Sequence, residues 1–134
     1  QKTPLLPVIQ GHWPDRSVKT PGQIVFDRNG RMYVTVTTVS ADASVEQGYW
    51  GHQSAEIALL VSRDLGRTFR ALPVSPPDEG VPNWLPSLER PTRHVEIVAP
   101  TLMYTHGAAG SNNRQTMANE VVWCDLAAMI DGTD

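Results

Sequence analysis

The sequence has little of what several protein classes require. Its 134 residues include a single cysteine, Cys124, so no disulfide can form within the chain. The four histidines lack the close spacing of metal ligands. No run approaches the ~20 apolar residues of a membrane-spanning helix, and the 11 Lys and Arg residues are scattered. We therefore expect no metal, no cofactor, no nucleic acid and no membrane as a partner.

The composition favours short elements joined by turns. Hydrophobic residues make up 40% of the chain, and 11 prolines and 10 glycines interrupt it. The length suits one ordinary domain. The chain begins at Gln1 rather than Met and shows no leader peptide, which favours the removal of a leader or of a larger N-terminal portion. The composition predicts an all-β protein.

Four β-rich runs follow one another in the first half. Residues 23–27 and 31–39 flank the Asn29-Gly30 pair, which predicts a hairpin. The apolar run 56–61 is typical of a strand covered on both faces, and 68–74 alternates like an edge strand. The pattern predicts a four-stranded meander.

The second half of the sequence contains fewer candidate strands. A proline-rich connection at 75–92 precedes candidate strands at 95–98, 101–105 and 120–126. Residues 1–21 carry four prolines and are expected to run extended over the surface. No helix is predicted.

Residues 62–69 read Ser-Arg-Asp-Leu-Gly-Arg-Thr-Phe, which matches the pattern Ser-x-Asp-x-Gly-x-Thr-aromatic at every defined position. A short Asp64 side chain can accept backbone N–H bonds within such a turn, and Gly66 can adopt positive φ. The segment resembles the Asp-box (BNR) repeats of sialidase-like β-propellers. In that family the box braces the blade, which implies structural roles for five residues here: Ser62, Asp64, Gly66, Thr68 and Phe69.

The resemblance implies a partial β-propeller built of four-stranded antiparallel blades. Residues 22–74 would form one complete blade, 93–126 a second, incomplete one, and 1–21 an extended arm. Such propellers typically need 4–8 blades, so missing blades or other copies of the chain are expected partners, and the isolated chain is expected not to be a stable, active monomer. Ligands of these propellers lie on the face opposite the Asp box. We expect a secreted or periplasmic protein.

Two loops are predicted on that face. The first holds Tyr49, Trp50 and His52, whose rings can stack on sugars, although they could equally fill a gap between blades. The second, 82–94, contains a carboxylate, two guanidinium groups and an imidazole within six residues. Guanidinium groups can bind a carboxylate, and Glu or His can move protons, although Glu89 and Arg90 could also form a solvated ion pair. The residues of interest there are Trp84, Glu89, Arg90, Arg93 and His94.

A third loop, 104–114, joins this face only if 95–98 is the innermost strand of the second blade. If 101–104 is innermost, the loop lies on the opposite face.

The resemblance implies a glycoside hydrolase of sialidase-like type, or part of one, acting on an acidic glycan. The predicted catalytic residues are Glu89, His52 and Tyr49. Trp50, Trp84, Arg90, Arg93 and His94 are the predicted substrate-binding residues. A polysaccharide lyase using His52 and Tyr49 with Arg90 is one alternative, and a non-catalytic glycan- or protein-binding propeller is another.

Overall fold

The computed structural model describes residues 2–42, 54–75, 81–89, 100–107 and 120–131. Within these ranges the chain forms two antiparallel sheets and two short helices, and the predicted all-β class is confirmed. None of the described helices is long and apolar enough to span a membrane. The elements are α1 (Leu6–His12), β1 (Arg16–Phe26), β2 (Met32–Ser40), β3 (Glu56–Ser62), β4 (Arg70–Pro73), β5 (Asn83–Glu89), β6 (Thr101–His106), β7 (Glu120–Asp125) and α2 (Leu126–Asp131).

The first sheet has the order β1-β2-β3-β4, which confirms the predicted four-stranded meander. The hairpin turn between β1 and β2 is organised by Asp27, whose Oδ1 accepts the backbone N–H groups of Asn29 at 2.8 Å and Arg31 at 3.0 Å. Gly30 adopts φ +82°, a conformation that glycine tolerates without strain.

The predicted extended arm at 1–21 is wrong. Residues 6–12 form α1, and β1 begins at Arg16, where it pairs with Ser40. Pro7 lies in the first turn of α1, where its missing N–H has no helical partner to lose. The segment is therefore a helix followed by the start of the first strand.

The second sheet has the order β5-β6-β7. The strands predicted at 101–105 and 120–126 are confirmed as β6 and β7. The predicted connection at 75–92 is wrong, because residues 83–89 form the edge strand β5. Pro86 lies in a register irregularity between Trp84 and Ser87, where the ladder does not need its N–H. The candidate strand at 95–98 lies outside the described residues.

The main core lies between the two sheets. Tyr33 and Leu59 from the first sheet are fully buried, and they belong to one apolar cluster with Leu102 of the second sheet. Leu126 and Ile130 of α2 complete this cluster. The two sheets therefore pack face to face.

A second apolar cluster lies on the other side of the first sheet. Ile9 of α1 is fully buried there, against a surface that includes Val34, Val36 and Leu60. Helix α1 therefore covers part of the outer face of the first sheet.

Candidate functional site

The turn at residues 62–69 is a closed set of hydrogen bonds. The Asp64 carboxylate accepts the backbone N–H of Thr68 at 2.9 Å and its hydroxyl at 2.6 Å. The Ser62 hydroxyl donates to Asp64 at 2.8 Å and accepts the N–H of Gly66 at 2.8 Å. Gly66 adopts φ +84°, as its place in the pattern predicts. Phe69 packs against the cluster on the outer face of the first sheet.

These bonds commit the Asp64 carboxylate to the turn. The Thr68 hydroxyl, the Thr68 backbone N–H and the Ser62 hydroxyl lower the pKa of Asp64 to about 2. A carboxylate held ionised by its own turn is poorly suited to proton transfer. The 62–69 turn is therefore a structural element, as the sequence predicts.

A polar cluster lies at the opposite end of the sheets. Antiparallel register places the start of β1, the start of β3 and the residues after β4 at that end of the first sheet. The start of β5 meets them there, since the Asn83 N–H donates to the Ala55 carbonyl at 2.9 Å. We call this the junction end, and its polar residues are Arg16, Glu56, Ser75, Asn83 and His106.

The side chains of the junction end form a chain of hydrogen bonds across the two sheets. Glu56 Oε2 accepts the Ser75 hydroxyl and, at 3.0 Å, the amide of Asn83. Asn83 Oδ1 lies 2.8 Å from Nδ1 of His106. Asn83 and Ser75 are both buried. The carboxylate of Glu56 is thus oriented by neighbours that solvent does not reach.

A cavity of about 120 Å³ lies at this end, and Glu56 and Arg16 both line it. Arg16 is fixed by its contacts to Thr38, whose carbonyl and hydroxyl accept from Nη2 at 3.0 and 3.1 Å. Trp13 supplies an aromatic wall, and Asp15 adds a second carboxylate. A guanidinium can pair with a carboxylate ligand, an aromatic ring can stack on a sugar, and a fixed carboxylate can accept hydroxyl groups.

The chain matches no protein-family model, no curated protein and no solved structure. The interpretation of the site therefore rests on its own geometry.

The structure separates two of the predicted site residues. Trp84 lies near the junction end on β5, and its indole N–H donates to the Gly107 carbonyl at 2.7 Å. Glu89 is exposed at the far end of the same strand, six positions from Asn83, which corresponds to roughly 20 Å. The 82–94 segment therefore does not bring Glu89 to the junction end. The other predicted site residues lie outside the described residues: Tyr49, Trp50, His52, Arg90, Arg93 and His94.

The strand order locates the first residues of the third loop. Because β5 is the first strand of the second sheet and β6 is the second, β6 ends at the junction end. His106 and Gly107, the described residues that begin this loop, lie there. The strand that precedes β6 in this sheet is β5, and the candidate strand at 95–98 lies outside the described residues.

Sequence reasoning did not select Glu56 or Asn83, which lie at the centre of the junction end. Glu56 directly precedes an apolar strand, and Asn83 directly precedes Trp84 in a proline-rich stretch. A polar residue at the boundary of a buried strand was the available signal, but it is also a common solvated position.

Metal-ligating side chains and the single cysteine were the other two candidates for a site. In the described ranges, no three His, Cys, Asp or Glu side chains lie together in a way that could hold a metal ion. Burial raises the pKa of the Cys124 thiol, which disfavours its nucleophilic thiolate form.

Proposed function

We propose that the chain forms part of an Asp-box β-propeller of the sialidase-like kind, which acts on an acidic glycan at the junction end. The observation that carries this proposal is the 62–69 turn. Each defined polar residue of the motif makes a hydrogen bond in it, and it joins the third and fourth strands of a four-stranded antiparallel sheet. A second antiparallel sheet packed on the first supports the assignment of two successive blades.

The cavity at the junction end supports an acidic sugar as the ligand. Arg16 lines the cavity with a positive charge that attracts a carboxylate, and Trp13 offers a ring for the sugar face. The cavity lies at the end of the sheets remote from the 62–69 turn, where ligands of such propellers bind.

Two acidic residues that line this cavity support glycoside hydrolysis as the reaction. Hydrolysis of a glycosidic bond generally uses a pair of carboxyl groups flanking that bond. Glu56 and Asp15 line the same cavity, whereas Glu89 lies at the far end of β5. Glu56 therefore replaces Glu89 as the first residue to test for catalysis.

A non-catalytic glycan-binding propeller is the second candidate function. Glu56 Oε2 already accepts hydrogen bonds from Ser75 and Asn83. A carboxylate held in this way is suited to orienting its neighbours and the ligand, without any proton transfer.

Calorimetric titration with a sialylated oligosaccharide and its neutral parent tests the ligand class. We expect the acidic sugar to bind more tightly, and Glu56→Gln to change the binding while Glu89→Gln does not. Equal affinity for both sugars would exclude an acidic-glycan site. The hydrolase and the binding module are distinguished by assembling the chain with further blades into a complete propeller. Release of free sialic acid by that assembly indicates the hydrolase.

A further inference from the structure

Helix α1 occupies a surface of the kind on which a neighbouring blade would pack. Its Ile9 is 0% exposed and belongs to the same cluster as Val34, Val36 and Leu60 on the outer face of the first sheet. In a propeller each blade packs face to face with the next one. A helix in this place and a neighbouring sheet cannot both cover that face.

Helix α1 has few stabilising features of its own. It has seven residues, its N-cap residue Leu5 makes no side-chain capping bond, and it contains Gly11. An isolated helix needs about 12–15 residues to be even marginally stable in water. Packing on the first sheet is therefore what holds α1 in its helical form.

The cover that α1 provides is also partial. Ile24 is 59% exposed and Phe26 is 46% exposed on β1. A cavity of about 410 Å³ is lined by Leu5, Ile24 and Met32. A broader apolar surface would cover what α1 leaves open.

The outer face of the second sheet offers such a surface. Val121 is 76% exposed and Trp123 is 66% exposed, two positions apart on β7. Met103 pairs with Trp123, and Thr105 pairs with Val121, so β6 extends the same face. The inner face of this sheet already packs against the first sheet within the chain.

We propose that α1 and the second sheet of another copy compete for the outer face of the first sheet. This inference rests on the two-blade assignment of the proposed function. Trp123 and Val121 of one copy pack on the surface that Ile9 leaves, which repeats between copies the sheet-on-sheet packing found within each copy. The contact is head-to-tail, so it can close a ring or extend further.

The test is multi-angle light scattering on the full chain over a micromolar concentration series. Ile9→Asp places a charge where α1 packs on the first sheet and should release the helix from it. The concentration at which half of the chains are associated should then fall at least about tenfold. Leu6→Asp is the matched control, because Leu6 is 42% exposed on the same helix, and it should leave association unchanged. Adding Val121→Ser and Trp123→Ser to Ile9→Asp should return the chain to a monomer.

The same series contains the outcomes that overturn the proposal. Association that is unchanged in Ile9→Asp, or that survives loss of Val121 and Trp123, excludes competition for this face. If Ile9→Asp lacks a cooperative melt, the milder Ile9→Ala decides in the same way. Normal glycan titration without association defeats only this inference, and association without a preference for the acidic glycan defeats only the proposed function.

Discussion

Asn83 of the second sheet donates its side-chain amide to Glu56 of the first sheet, with 3.0 Å between nitrogen and oxygen. The pair lies at the junction end and fixes the two sheets relative to each other. His106 lies beyond Asn83, and Ser75 donates to the same Glu56 oxygen. One fully buried amide therefore connects the acidic group at the cavity to the second sheet.

We expect Asn83→Ala to lower the free energy of unfolding by about 2 kcal/mol, because Glu56 loses a buried donor. Asn83→Asp should be worse at neutral pH, since it places a second carboxylate against Glu56. The deficit of Asn83→Asp should shrink as the pH falls and one carboxylate of the pair is protonated. Urea unfolding at several pH values measures this.

Asn29→Asp is the control for the Asn83 variants, because Asn29 is exposed in the first hairpin turn. It should show little of this loss. Equal loss in Asn29→Asp and Asn83→Asp would show that Asn83 does not connect the sheets.

Asp64 should contribute to the free energy of unfolding, and this contribution should be lost at acidic pH. The pKa of Asp64 in the folded chain is about 2, below its ordinary value, so folding favours the ionised form. The stabilisation is fully present above about pH 4 and is lost as the pH falls through about 2. We expect wild type to exceed Asp64→Asn in urea midpoint at pH 7 and to converge with it near pH 2. A constant gap at all pH values would contradict the ionised turn.

Tyr33 should contribute to the free energy of unfolding, and this contribution should be lost at alkaline pH. Burial, and then its hydrogen bond to Asp27 at 2.9 Å, raise the pKa of Tyr33 to about 12. This stabilisation is fully present below about pH 10 and is lost as the pH rises through about 12. Tyr33→Phe should cost about 2 kcal/mol at pH 7, because a buried carboxylate loses a donor.

The check for Tyr33 is urea unfolding of both proteins across that alkaline range. The gap between wild type and Tyr33→Phe should narrow above about pH 10. A gap that widens there would mean that the ionised phenol is the favoured form in the folded chain.

Gly66→Val should destabilise the chain by about 1–3 kcal/mol. The cause is backbone strain at φ +84°, since an added Cβ would meet Met32 and Phe69 only at ordinary contact distances of 3.5 and 3.6 Å. Gly11→Ala is the opposite control, because nothing lies within 4 Å of its added Cβ and alanine favours a helix. Thermal melts should show a lower Tm for Gly66→Val and an equal or higher one for Gly11→Ala.

The first sheet was predictable from sequence because its signals are local. The Asn29-Gly30 turn, the apolar run of β3 and the 62–69 motif each specify structure within a few residues. Their order along the chain then gives the meander, since consecutive strands usually pair.

The errors arose where tertiary contacts override local signals. Pro7 suggested an extended segment, but the first turn of a helix accepts proline, and burial of Ile9 stabilises a helix too short to show a periodic pattern. Pro86 suggested a connection, but an edge strand with a register irregularity accepts it. The junction end required both sheets, because Glu56 and Asn83 are 27 residues apart in sequence.

The hydroxyl of Thr3 donates to the carbonyl of Gly66 at 2.6 Å, which ties the segment before α1 to the 62–69 turn. A local opening that releases α1 must break this bond, and an opening of the turn loosens the same segment. In native-state hydrogen exchange the amides of Ile9 and Gly66 should therefore lose protection together, as one cooperative unit. The free energy of opening of this unit should be lower than that of the strands that pack around the core between the two sheets.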